Sequence, residues 1–305
     1  MSSIAVFRRV SVLAAVFAYL QIALGGIVRV SGSGLGCPDW PLCHGRPYPP
    51  ANLHAIIEYS HRTVGAITGV LIIATVVGAW LVFRTRRPIV AWMATASLVA
   101  VAAEGGLGGV VVVNELAPWL VAVHLGLAMI ILGALIATAA LSMPESSGVG
   151  SPLFYRLSAL AIGATYALLL SGSTVVASNA DEQCRSWPLC GGGFAPDFGG
   201  ANALTMLHRG LVLLIGAFLV YFLLMSVRQC ARWARNFAIA TLAALGAQVL
   251  VGAASAVTDG ALANGFHVAL GTLVWGGVCT TALLSLPRGD RVPLRAHGRV
   301  EGAAI

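Results

Sequence analysis

The chain has 305 residues and a mass of 31.4 kDa, with 58% hydrophobic residues, 10% charged residues and a mean hydropathy of +0.88. Soluble domains carry about 25% charge, so this composition cannot cover itself in water and excludes a soluble enzyme. The formal net charge of +7 does not point to nucleic acid either, because all 18 basic residues are Arg and they fall between apolar stretches, where they mark topology.

In chain order, eight apolar stretches are each long enough to cross a hydrocarbon core of ~30 Å. They are expected near 7–30, 64–83, 89–112, 119–141, 157–177, 204–226, 237–257 and 261–284. The predicted class is an all-α integral membrane protein of the cell membrane. Its eight transmembrane helices form two tandem four-helix bundles related by a pseudo-two-fold axis. With both termini cytoplasmic, Arg8, Arg9, Arg84, Arg86, Arg87, Arg156, Arg228, Arg232, Arg235 and the Arg288 to Arg299 tail lie inside. That is 13 of the 18 Arg, the positive-inside asymmetry. Asp39, Glu115, Asp181, Glu182, Asp197 and Asp259 lie on the opposite face.

The two longest connections, 31–63 and 178–203, both fall on that outer face, and each holds a cysteine pair. Trp-Pro-Leu-Cys occurs at 40–43 and again at 187–190. The same offset carries Tyr19 to Tyr166, Gly25 to Gly172, Cys37 to Cys184, Cys43 to Cys190 and His61-Arg62 to His208-Arg209. A slightly shorter offset carries Glu104 to Gln248, Gly108 to Gly252 and His124 to His267. An even number of spans separates the copies, so the duplication is parallel. The expected parts are an N-terminal half (1–142), a connector rich in Pro, Ser and Gly (143–156), a C-terminal half (157–286) and a cytoplasmic tail (287–305).

His61 and His208 are expected at the outer ends of their spans, with His124 and His267 about a turn inside theirs. Each half thus presents two imidazoles at similar depth on parallel helices. Axial ligation of haem iron between apolar helices uses that arrangement. Gly65, Gly69, Gly126, Gly210 and Gly271 are expected to let a flat ring approach the backbone. His44 and His54 have no repeat counterpart and read as surface residues, and His297 belongs to the tail.

The halves differ where chemistry requires it. Glu58 stands three residues before His61, whereas the equivalent Thr205 cannot ionise, so only the first half has an acid or base beside its candidate metal ligand. Glu104 is either functional or a helix-to-helix hydrogen bonder. Arg62 and Arg209 suit either haem propionates or lipid phosphate. Arg29, opposite Val176, suits an anionic group of a substrate or an ion pair with Glu58. The outer location and spacing suit disulfides Cys37–Cys43 and Cys184–Cys190; a structural staple is one role, and redox work in the first loop is another. Cys230 and Cys279 are expected to be unpaired. The Cys and His spacing is poor for zinc, and no Walker, Rossmann or zinc-protease motif occurs.

Two four-helix halves bearing Glu58-Tyr59-Ser60-His61-Arg62, His124, His208-Arg209 and His267, with a cysteine pair in each outer loop, resemble the bacterial haem A synthase family. The likeness covers 11–284 and is closest to the cysteine-containing subgroup. It implies oxidation of a methyl group of haem O to the formyl group of haem A, for cytochrome oxidase. It further implies a resident haem b on His208 and His267, and haem O as substrate near His61, His124 and Glu58. Implied partners are haem O synthase and an electron acceptor or donor in the membrane. Two other classes use parts of the same pattern: a di-haem cytochrome exchanging electrons with quinone, and a membrane thiol-disulfide oxidoreductase.

Overall fold

The computed structural model describes residues 2–144, 148–191, 193, 195–258 and 260–287. Asp259, His297 and the Arg288 to Arg299 tail lie outside the described residues. Nine helices occur among the described residues: α1 (Ser3–Val30), α2 (Leu53–Phe83), α3 (Pro88–Val113), α4 (Pro118–Leu141), α5 (Pro152–Ala177), α6 (Ala180–Gln183), α7 (Asn202–Gln229), α8 (Arg232–Thr258) and α9 (Ala261–Leu284). All but the four-residue α6 are long and apolar enough to cross a membrane. Pro88, Pro118 and Pro152 open three of them at the first turn, where a missing N–H costs nothing. Ser2, Asn52 and Ser151 cap α1, α2 and α5 by accepting from first-turn amides.

Leu81, Leu213 and Leu262 are 77 to 79% exposed, which suits side chains facing lipid tails and not water. Inside, small residues such as Ala14, Ala18, Ala79, Ala91 and Ala94 are buried and let helices approach closely. α1 packs on α2, α2 on α3, α3 on α4 and α4 on α1; α5, α7, α8 and α9 close a second ring in the same order. α1 and α4 meet α9, and α4 also meets α5, a pattern consistent with two repeated units packed about a pseudo-two-fold. At that seam Trp275 donates its indole N–H to Met129 O at 3.0 Å, and Tyr166 donates its hydroxyl to Gly126 O at 3.2 Å. Their rings lie 5.7 Å apart. At the other end of α4, Arg8 Nε donates to Ser142 O at 2.7 Å and Arg87 to Met143 O at 2.9 Å, supplying donors and positive charge where a helix end lacks them.

Helix starts differ most from the sequence expectation at α2, α5 and α8, the last beginning at Arg232 and not near Phe237. α2 starts at Leu53 and not near Val64, because Asn52 accepts from the His54 and Ala55 amides and nucleates turns whose polar residues dilute the hydropathy. His54, Glu58 and His61 are therefore helical. His61 lies about two turns in, as do His124, His208 and His267, so all four share a depth of roughly 9 to 12 Å from their helix starts. α5 starts at Pro152, capped by Ser151, which shortens the link between the halves.

In the loop after α1, Cys37 is bonded to Cys43, and in the loop after α5, Cys184 is bonded to Cys190. Cys230 and Cys279 are free. His44 lies in the first loop with Nε2 3.0 Å from Gly36 O, and His54 Nδ1 is 3.0 Å from Ser33 Oγ. Asp39 closes the first loop by accepting from the His44 N–H at 2.6 Å and the Gly45 N–H at 2.7 Å. The Gly45 amide above all, helped by that of His44, holds the Asp39 carboxyl below the usual carboxylate range. Because the folded value is lowered, its support for the loop is complete above the ordinary carboxylate pKa and fades as pH falls through the lowered one. Protection of the His44 and Gly45 amides from hydrogen exchange, relative to their intrinsic rates, should be high at neutral pH and fall in acid. Asp39→Asn should show the low protection already at neutral pH.

Candidate functional site

Each of the four repeat-related histidines lies with its ring against a glycine of the preceding long helix. A β-carbon built at Gly25 of α1 would stand 3.1 Å from His61 Cε1, and one at Gly172 of α5 would stand 3.0 Å from His208 Cε1. At Gly108 of α3 the distance to His124 Cε1 is 3.4 Å, and at Gly252 of α8 it is 2.8 Å to His267 Cε1. Real side chains essentially do not approach a ring at 2.8 Å, so Gly252 is required by that contact. Of the glycines expected to admit a flat haem ring beside the histidines, Gly65 faces Gln21, Gly126 faces Leu170 and Tyr166, Gly271 faces Gln248 and Leu169, and Gly69 and Gly210 face no atom within 4 Å.

A polar side chain near each glycine meets the ring. Gln21 Nε2 is 3.2 Å from His61 Nε2, and Gln248 Nε2 is 3.4 Å from His267 Nε2. Ser171 Oγ is 2.8 Å from His208 Nδ1. Glu104 Oε1 is 3.1 Å from His124 Nδ1, close enough for an ion pair but out of line for a hydrogen bond. Gln21, Glu104 and Gln248 each stand four residues before their glycine, one turn along the same helix face. Leu168 holds that place before Gly172, and Ser171 supplies the contact instead. Sequence reasoning missed Gln21 and Ser171; a polar residue four before a repeat-matched glycine was the available signal for Gln21.

Within each half the two imidazoles are close enough to interact electrostatically, His61 with His124 and His208 with His267. His61 Nδ1, His124 Nδ1 and His267 Nδ1 are buried without a hydrogen-bond partner. Buried imidazole nitrogens left unpaired cost stability unless something else takes them. Paired imidazoles, apolar helix walls and rings held against backbone fit the ligation of a haem in each half. His61 with His124 would hold one, and His208 with His267 the other.

The arginines are engaged with the cysteine loops. Arg62 donates to Asp39 O, Leu42 O and Cys37 O, each at 2.7 Å, and to the Glu58 carboxylate. Arg209 donates to Pro188 O at 3.1 Å and Cys184 O at 3.5 Å. Glu58 is 3% exposed, and its second oxygen accepts the Cys37 N–H at 2.8 Å. The equivalent Thr205 donates to Ala180 O at 3.0 Å. Arg29 is not the partner of Glu58: it ends α1, and Asp181 beside the other cysteine loop is the acid whose charge reaches it.

If the glycine seats fix the ligand rings, a methyl group there must displace them. Gly252→Ala should lower the haem content of the purified protein, measured by absorption, whereas Gly163→Ala, where a β-carbon meets nothing within 4 Å, should leave it unchanged.

The family model described as "Cytochrome oxidase assembly protein" (COX15-CtaA) matches residues 8–279. Among curated proteins, a heme A synthase of Symbiobacterium thermophilum is 30% identical over 302 residues, covering 92% of this chain and 96% of the relative. One from Alkalihalophilus pseudofirmus is 29% identical over 254 residues, covering 79% and 82%, and one from Bacillus cereus is 26% identical over 296 residues, covering 91% of each. A match running from the second turn of α1 to the last turns of α9 takes in every histidine seat, and the chain belongs to the COX15-CtaA family of cytochrome oxidase assembly proteins.

Proposed function

We propose that this membrane enzyme is a haem A synthase, oxidising a methyl group of haem O to the formyl group of haem A. The observation that carries the reading is the set of four repeat-related histidines, each seated on a glycine and paired within its half. The curated relatives carry the name of this activity over most of their length. In this reading residues 1–142 form the substrate half and 157–286 the resident-haem half. His61 and His124 hold haem O, and His208 and His267 hold haem b. When bound, haem b supplies one-electron transfer, passing electrons from the substrate half toward an acceptor in the membrane. Haem O synthase is the expected source of substrate.

The chain's own contribution differs between the halves. The second half has no ionisable group at the place of Glu58, so it holds a haem without moving protons there. In the first half Glu58 lies one turn before His61, shielded from solvent and joined to Arg62 and to the first disulfide loop. We assign it a proton released as water hydroxylates the methyl group, each hydroxylation sending two electrons to the membrane acceptor; a second hydroxylation followed by loss of water leaves the aldehyde. Arg62 and Arg209 fix the cysteine loops over the two sites, where their positive charge would favour the propionates of a bound haem. Arg29, without a counterpart at Val176, serves the anionic edge of the substrate. The Arg distribution supports cytoplasmic termini and extracytoplasmic cysteine loops in the cell membrane.

Glu58→Gln keeps the shape and an acceptor for the Cys37 amide but removes the proton carrier. Haem b should stay at full occupancy. Conversion of haem O, followed by mass analysis of extracted haems, should fall by about 10² to 10⁴, the usual weight of a general acid or base. Near-normal conversion would remove the proton-transfer role.

A further inference from the structure

The carboxylate of Glu104 has no task in the mechanism above, yet it faces a proposed iron ligand. Its Oε1 is 3.1 Å from His124 Nδ1. Its other oxygen, Oε2, is buried without a hydrogen-bond partner, as is His124 Nδ1 itself. In the second half the equivalent contact is neutral: Gln248 Nε2 lies 3.4 Å from His267 Nε2. Both supporting residues stand four positions before the glycine that seats the ring, Gly108 and Gly252, but Glu104 meets Nδ1 of its histidine and Gln248 meets Nε2 of its own.

A carboxylate close beside one ring nitrogen makes the opposite nitrogen a stronger donor to a metal through its charge, and a neutral amide does this far more weakly. With Nδ1 3.1 Å from Glu104, His124 keeps Nε2 for iron. We propose that Glu104 is a positioning residue for the substrate half: it orients His124 and strengthens its donation, so that iron held there is the more readily oxidised of the two. Gln248 leaves His267 the weaker donor and the resident haem the more readily reduced. An electron lost from the N-terminal iron is gained by the C-terminal iron, which gives the direction of flow that oxidation of a substrate methyl group needs. The inference rests on the ligand assignment in the proposed function and deepens it.

The test uses the full-length protein purified with both haems, titrated spectroelectrochemically and examined by low-temperature EPR. His124→Ala and His267→Ala identify which component belongs to which half. Glu104→Gln should raise the ratio of reduced to oxidised iron in the N-terminal component at a fixed ambient potential by about tenfold, the lower end of second-shell effects at metal sites. The EPR signature of that component should move with it, and the C-terminal component should stay unchanged. Gln248→Glu should shift the C-terminal component the opposite way. An unmoved N-terminal component in Glu104→Gln with both haems retained would overturn the inference and leave the ligand assignment standing. Loss of that haem in Glu104→Gln, with no response to Gln248→Glu, would reduce Glu104 to packing support and overturn it equally. If neither histidine variant removes a component, the ligand assignment itself fails.

Discussion

An imidazole ring packed against a helix glycine leaves little space for a β-carbon, tightest at Gly252, then at Gly172 and Gly25, and reaching ordinary contact at Gly108. Gly25, Gly108, Gly172 and Gly252 fix where α1, α3, α5 and α8 touch the helices that follow them. In a membrane, where helix association relies on packing and hydrogen bonds and not on excluding water, such close contacts determine which helices pair. They also bring two histidines together at one depth inside each four-helix ring, with nitrogens that the protein alone leaves unpaired. Architecture and candidate ligand geometry thus rest on the same contacts.

Duplication supplies two such frames, and their differences indicate a division of labour. The cysteine loops are pinned alike, by Arg62 on Cys37 O and by Arg209 on Cys184 O. The chemistry beside the histidines is not alike: Glu58 stands against Thr205, Glu104 against Gln248, and Gln21 against Leu168. Each of these places gives the N-terminal half the more polar or charged group. A polar or charged side chain within a bilayer is costly enough that its placement in one copy and not the other argues for a task in that copy.

Much of this was legible in the sequence, because span length, Arg asymmetry and the repeat of Trp-Pro-Leu-Cys with His-Arg are local signals. The histidine quartet and the glycine matches at 25 with 172 and 108 with 252 were visible as repeats. Which glycine met which ring was not, since that depends on how neighbouring helices rotate against each other. Helix α2 was read as starting too late because Glu58, His61 and Arg62 lower the apparent hydropathy of turns that Asn52 nucleates. Arg29 was offered Glu58 as a partner because both are unique to the first half, but Arg62, one turn after Glu58, reaches the carboxylate first. The pairing of Glu104 with His124 spans two helices that no local pattern connects.

The central claim is that this frame converts haem O to haem A, and the most direct measurement is the mass of the haems extracted from cells making this chain together with haem O. The account expects a product with the formyl group of haem A that is absent when the chain is omitted. Unchanged haem O beside purified protein that retains both haems would contradict the proposed activity and leave a membrane cytochrome in its place.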